Sequence, residues 1–109
     1  MSMVDVSAKP EVYREASAKG TIKLKSETLR LIREGKVEKG DPFEVAKVAG
    51  ILAAKNTNTL IPLCHPLPLT SVEVKLQIVD DSQVEAEATV KTRAQTGVEM
   101  EALAAAATA

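Results

Sequence analysis

Tryptophan is absent, and phenylalanine, tyrosine, histidine and cysteine occur once each. With aromatics at 2%, the core has to be built from Ala, Val, Leu and Ile. Such side chains bury little area each, so the chain gains by burying surface against other subunits, and an oligomer is expected. A lone cysteine excludes an internal disulfide, which suits a reducing cytoplasm. One Cys and one His fall short of the roughly four ligands of a zinc site, so metal binding by this chain alone is not expected. Neither sign of charge dominates: 14 basic and 15 acidic residues leave a net charge of −1. That balance excludes the one-sided basic field of a general nucleic-acid binder. No run approaches the ~20 apolar residues of a membrane span. The opening MSMVDVSAKPEVYREA has no apolar core of signal-peptide type. The expected location is the cytoplasm, without nucleic-acid or membrane partners.

What is present is patterned. A length of 109 residues indicates a single domain, 1–109, and 45% apolar residues make it globular. Residues 1–11 are polar, contain Pro10 and read as an N-terminal arm. From Tyr13 to Lys25 the pattern alternates: Arg14, Ala16, Ala18, Gly20, Ile22 and Leu24 fall on one face, and mostly polar residues on the other. A period of two predicts a long, half-buried strand. In SETLRLIREGK, Ser26 is expected to cap a helix that Gly35 ends. In KGDPFEVAKVAGILAAKN, Asp41 is the expected N-cap, Pro42 the first helical residue and Glu44 the partner of a capping box. On that helix Glu44, Lys47 and Lys55 share an arc of about 80° and nearly everything else is apolar or small. So narrow a polar stripe predicts burial almost all round, in a core or at a subunit interface.

Two further alternating runs, SVEVKLQIVD and QVEAEATVKTR, flank the turn DDSQ and predict a hairpin with one wet face. Lys75 is placed to pair with Glu85 or Glu87 across it. Thr96 and Glu99 then predict a second capping box and a third helix running to Ala109. Glu99 and Glu101 lie 200° apart on that helix and cannot serve one site. The order strand, helix, helix, strand, strand, helix is α+β, with an antiparallel sheet and helices on one face. One more strand completes a ferredoxin-like arrangement, and that last strand is expected to be missing, leaving residues 12–109 an incomplete ferredoxin-like domain.

The chain's only thiol and only imidazole sit side by side in LIPLCHPLPL, Leu60 to Leu69. Pro62, Pro66 and Pro68 forbid a helix and withhold backbone donors, so the segment is expected to be rigid and irregular. Rigid irregular backbone between regular elements commonly holds sites. Adjacent residues on an extended chain point opposite ways, so His65 and Cys64 divide the roles, one facing a ligand while the other packs. Among the cations, Lys36 and Lys39 flank the start of the second helix and Lys55 lies near its end. Arg14 stands out, because an arginine on a buried strand face needs an anionic partner. These residues point to an anionic ligand without naming it.

MVDVSAK (Met3–Lys9), KSETL (Lys25–Leu29), KGD (Lys39–Asp41), AGILAAKNT (Ala49–Thr57), LIPLCHPLPL and KTRAQTGVEMEAL (Lys91–Leu103) together resemble the cyclic pyranopterin monophosphate synthase family of molybdenum cofactor biosynthesis, the MoaC family. The resemblance runs from about Met3 to the last residue, and LIPLCHP with TGVEMEAL downstream is its most specific part. It implies a lyase that converts 3′,8-cyclo-7,8-dihydro-GTP to cyclic pyranopterin monophosphate and releases pyrophosphate. It implies no cofactor, with magnesium as the companion of the triphosphate, and a ferredoxin-like homo-hexamer, a trimer of dimers with sites shared between chains. Leu63, Cys64, His65, Met100 and Glu101 are the implied substrate-binding residues. Arg14, Lys39 and Lys55 are the implied phosphate- and purine-side cations, and Lys39 is also implied in the chemistry. The family's Asp–Lys catalytic pair, its final strand and a Lys-Ser-Gly-Gly tail are implied beyond Ala109, so the chain is expected to be C-terminally truncated and to lack turnover by itself. Two rival readings differ in kind: a non-catalytic oligomeric assembly module of the same fold, and a thiol or metal protein centred on Cys64 and His65.

Overall fold

The computed structural model describes residues 3–8, 10–62 and 65–109. Its elements run β1 (Val12–Lys23), α1 (Ser26–Arg33), α2 (Pro42–Lys55), α3 (Thr57–Leu60), β2 (Leu69–Ile78), β3 (Gln83–Ala94) and α4 (Glu99–Thr108). The three strands form one antiparallel sheet in the order β1-β3-β2. β1 pairs with β3 along its whole length, from Val12 opposite Ala94 to Lys23 opposite Gln83. β2 pairs with the other edge of β3, with an irregularity between Leu69 and Ser71. This is the expected α+β, ferredoxin-like arrangement, and the described residues contain three of its four strands.

Alternation explains the layers. Val72, Val90 and Ala16 line up across the sheet, as do Val74, Ala88 and Ala18, all on one face. Val90 and Ala88 at its centre are fully buried. α4 lies over β1 and β3, α2 lies over β2, and the two helices pack on each other. The opposite face carries Glu15, Lys19, Glu73, Lys75, Glu87 and Lys91 in partly exposed ion pairs. Lys75 faces Glu87 across the hairpin, but its ion pair is with Glu73 on its own strand, while Glu87 pairs with Lys19 of β1. Exposed pairs of this kind contribute little, so the register is held by the apolar face instead.

Small side chains let the layers close. The α4 face on the sheet is Ala102, Ala105 and Ala106, each at most 8% exposed. α2 presents Gly50, Ala53 and Ala54. At Gly50 a side-chain carbon would stand 3.0 Å from the Ala105 carbonyl oxygen and 3.0 Å from Val74 Cγ2. A glycine in a helix interior, costly for helix propensity, is there because two backbones approach each other.

Local signals behave unequally. Asp41 is the N-cap of α2, accepting the Phe43 N–H at 2.9 Å, and Pro42 opens the helix as expected. Glu44 does not close the box, because Lys47 one turn on takes its carboxylate at 3.2 Å. Gly35, at φ 68°, ends α1 in a Schellman turn: Lys36 N–H bonds Leu31 O and Gly35 N–H bonds Ile32 O. Ser26, expected as the cap of α1, is its first helical residue, and Lys25 occupies the cap position with no side-chain bond. The expected Thr96–Glu99 box is likewise absent: α4 starts at Glu99, so Val98 holds the cap position. The Glu99 carboxylate folds back over Gly97 instead. α3 is a single turn that the sequence pattern did not announce. It takes Leu60 into a helix, whereas Leu69 starts β2, so the irregular proline segment is shorter than the ten residues quoted.

Within the single chain α2 buries one face. Its inner face is buried, but Val45, Val48 and Leu52 are 63%, 58% and 54% exposed. Within one chain nothing among the described residues covers this outer apolar face. Among the described residues no helix is long and apolar enough to cross a membrane.

Candidate active site

Three segments meet at one end of the sheet. The proline segment leads into β2 through His65, Pro66, Leu67 and Pro68. The loop after β3 carries Gln95 and Thr96. The arm contributes Val6 and Glu11. Together with Arg93 and Ala94 they line a cavity of about 320 Å³. The proline segment is tied down by Thr92, a fully buried β3 residue whose hydroxyl donates to the Pro68 carbonyl. Proline's fixed φ sets the path, and the Thr92 bond fixes its distance from the sheet.

His65 is half-buried in this wall, and its Nε2 lies 2.8 Å from the Val4 carbonyl oxygen. On the other side of the arm, Gln95 Nε2 donates to Ser7 O at 3.3 Å. Between these points the arm makes a tight turn in which Asp5 Oδ1 accepts the Ser7 N–H at 2.9 Å. That bond, helped by the Ser7 hydroxyl and by the nearby His65, holds the Asp5 carboxyl below the ordinary carboxylate value.

Arg14 shares the helix-side sheet face with Thr92, its neighbour across β3. Within the chain it is held by backbone: Nε and Nη2 donate to the Ala94 and Gln95 carbonyls at 3.5 and 3.4 Å. The arginine thus props the loop that carries Gln95. Met100 and Glu101 follow that loop in the first turn of α4. Their surroundings differ: Met100 is 45% exposed and Glu101 is 3% exposed. Glu99 points outward, so the 200° argument holds and Glu101 is the acid turned into the protein.

Lys39 and Lys55 do not line this cavity. Lys39 is an exposed residue of the turn before α2, and Lys55 is exposed in its last turn. α2, whose 14 residues end at Lys55, spans about 21 Å. Leu63 and Cys64 lie outside the described residues. Arg93, Gln95 and Glu11 were not singled out from sequence, and Thr96 only as a helix cap. The available signal was the polar TRAQTG step between a strand and a helix, a short loop of the kind that carries sites.

A larger recess of about 560 Å³ runs along β2 and is lined by Lys19, Lys47, Glu73, Lys75, Glu85 and Glu87. All three of its lysines are in ion pairs with neighbouring glutamates. It is a solvated charged surface.

The MoaC family model matches residues 3–109. The chain belongs to the MoaC family. It is 58% identical over 108 residues to the cyclic pyranopterin monophosphate synthase of Thermomicrobium roseum, covering 98% of this chain and 65% of that protein. It is 55% identical over 104 residues to the synthase of Thermoanaerobacter sp. (strain X514), covering 94% and 66%. The corresponding protein of Parvibaculum lavamentivorans is 57% identical over 104 residues, covering 94% and 65%. The chain thus spans just under two thirds of the length of these curated relatives. Within this MoaC-family chain the motif residues fall into two groups. His65, Arg14, Met100 and Glu101 belong to the cavity end of the sheet and the α4 start that adjoins it, and Lys39 and Lys55 to the two ends of α2.

Proposed function

We propose that the chain carries substrate-binding elements of a cyclic pyranopterin monophosphate synthase, a lyase of molybdenum cofactor biosynthesis acting on 3′,8-cyclo-7,8-dihydro-GTP. The observation that carries this reading is the cavity at His65, where a rigid proline wall, Arg93 and a polar loop propped by Arg14 converge in a MoaC-family chain. Forming a cyclic monophosphate from a triphosphate requires a substrate hydroxyl to attack the α-phosphorus. The α–β anhydride bond breaks, pyrophosphate leaves and the hydroxyl proton must be taken up. Arg14, Lys39 and Lys55 suit the triphosphate, because charge-assisted bonds stabilise the charge that grows on the leaving group. His65 and Lys39 are placed in the proton transfers. Leu63 and Cys64 are further substrate-binding residues in this reading, and Met100 and Glu101 hold the pterin side. No redox cofactor enters this reaction, and magnesium accompanies the triphosphate.

The site draws on two chains in this reading. Lys39 and Lys55 stand at opposite ends of α2, so serving one ligand requires either a ligand as long as the helix or cations from different chains. The outer face of α2 favours the second, because Val45, Val48 and Leu52 are apolar and exposed. The assembly is a homo-hexamer, a trimer of dimers, in the cytoplasm. Val48→Glu in this face is expected to shift the chain to monomers in sedimentation velocity at micromolar concentration while its circular dichroism stays unchanged. An unaltered oligomer would remove α2 from the interface.

The deciding assay is pyrophosphate release from the cyclised dihydro-GTP. It compares the 109-residue chain with the same chain fused to the C-terminal third of the Thermomicrobium roseum relative. Release by the fusion alone is expected, because the Asp–Lys pair is implied beyond Ala109. If both fold and neither releases pyrophosphate, the synthase reading fails and the assembly module takes its place. Cys64→Ala in the fusion is expected to retain activity within a few-fold. Its complete loss, with folding intact, would make the protein a thiol enzyme instead.

A further inference from the structure

β2 is an edge strand, and among the described residues no strand pairs with its outer side. The ladder fixes which of its backbone groups are already used. Val79 N–H bonds Gln83 O at 2.9 Å, in the register that sets Ile78 opposite Val84. Bonded pairs recur at every second residue of an antiparallel ladder, so Gln77, Lys75 and Glu73 bond to β3. The N–H and C=O groups of Val72, Val74 and Leu76 therefore point away from the sheet. The recess of about 560 Å³ borders this edge. Val74 and Leu76 line it from the helix side, Glu73, Lys75 and Gln77 from the other side, and Lys47 of α2 joins them.

We infer that this edge is a self-complementary seam, at which β2 of a second copy of the chain pairs antiparallel about Val74. Charge selects both the occupant and the register. A lone lysine on an edge guards it against pairing. Here Lys75 lies 3.3 Å from Glu73, two residues away on the same sheet face, with side chains 69% and 59% exposed. A strand with opposite charges at this spacing meets its own copy with opposite charges facing. When Val74 stands opposite Val74 of the second copy, each Glu73 faces Lys75 of the other copy. That is a non-bonded pair, where side chains approach most closely. Centring the seam on Glu73 or Lys75 sets like charges face to face. Centring it on Val72 or Leu76 separates the opposite charges. The Val74 register also bonds the outward groups of Val72, Val74 and Leu76 and sets Val72 beside Leu76, so the apolar face continues across the seam. Its twofold axis stands perpendicular to the sheet, which keeps the helices of both copies on one side. α2 packs over β2, so the uncovered Val45, Val48 and Leu52 of both copies come to the same side of the joined sheet. None of this rests on the synthase reading.

Backbone amide exchange reads the seam directly. In the parent chain at NMR concentration, the Val72, Val74 and Leu76 amides are expected to exchange as slowly as those of Glu73 and Lys75. An open edge gives alternation instead, slow at Glu73 and Lys75 and fast at Val72, Val74 and Leu76, and overturns the proposal. In a mixture of labelled and unlabelled chains, a nuclear Overhauser contact is expected between Glu73 Hα of one copy and Lys75 Hα of the other. Its absence overturns the register. Glu73→Lys and Lys75→Glu test the charges at two exposed positions. Each variant sets like charges opposite each other twice per dimer. Each is expected to raise the dissociation constant roughly tenfold, read from the concentration dependence of amide exchange. Mixed in equal amounts, the two variants are complementary again, and parental protection is expected to return. Single variants that pair as tightly as the parent, or a mixture no better protected than either one, would sink the proposal. Association through the outer face of α2 alone leaves the alternating pattern in β2, so the two surfaces are told apart. No readout needs turnover, so the seam and the synthase reading can fail separately.

Discussion

Gly50→Val is expected to destabilise the chain by about 3 kcal/mol, at the upper end of the overpacking range, and to lower its Tm by roughly 15 °C. The new side chain has nowhere to go. Its first carbon alone stands 3.0 Å from a backbone oxygen of α4, 3.0 Å from Val74 and 3.3 Å from Ala109 Cβ. Two further methyl groups have to push α4 off α2, and α4 carries Ala102, Ala105 and Ala106 of the core with it. Gly50→Ala separates the two terms in this balance. It gains about 1 kcal/mol of helix propensity and loses a similar amount to displacement of a few tenths of an ångström, so it is expected to lie within about 1 kcal/mol of the parent. Thermal and denaturant unfolding of the pair checks this. A valine variant as stable as the alanine one would mean that the helices do not cross at Gly50.

Glu101→Gln is expected to lower pyrophosphate release by the fused chain about 100-fold, the size of loss seen when one preorganised group is removed from an active site, while Tm moves by only a few degrees. Glutamine keeps the volume and both side-chain positions but not the charge. A carboxylate 3% exposed in the first turn of α4 has the positive end of that helix beside it. A buried acidic side chain is by itself weak evidence for stability, so activity and Tm have to be read together. A structural role gives the reverse signature: the Tm falls and the folded fraction turns over at the parental rate. Measuring kcat, KM and Tm on the same preparation distinguishes the two. Met100, exposed beside it, is expected to tolerate Leu in the same assays.

Much of the architecture was legible because its causes are local. Side chains alternate across a strand, so Arg14 to Ile22, Val72 to Ile78 and Val84 to Val90 announced their faces directly, and the register followed from keeping those faces together. Asp41-Pro42 and Gly35 work through backbone geometry within one turn, and both stand where their chemistry places them. The caps that failed depended on a competitor or a boundary outside that range. Glu44 met Lys47, and α4 began only at Glu99, which put the cap position at Val98 instead of Thr96. Of the candidate site, sequence alone marked His65 by its prolines and separated Glu99 from Glu101 by helical angle. Tertiary structure decided the rest. It gave Arg14 two backbone carbonyls, set Lys39 and Lys55 at opposite ends of a helix, and laid the arm against His65. It also left the outer face of α2 uncovered in a single chain. Each of these joins residues far apart in sequence, or depends on what a surface meets, and no local periodicity carries that information. A hydrogen bond from a side chain to a distant carbonyl leaves no pattern in composition, because every residue offers the same oxygen.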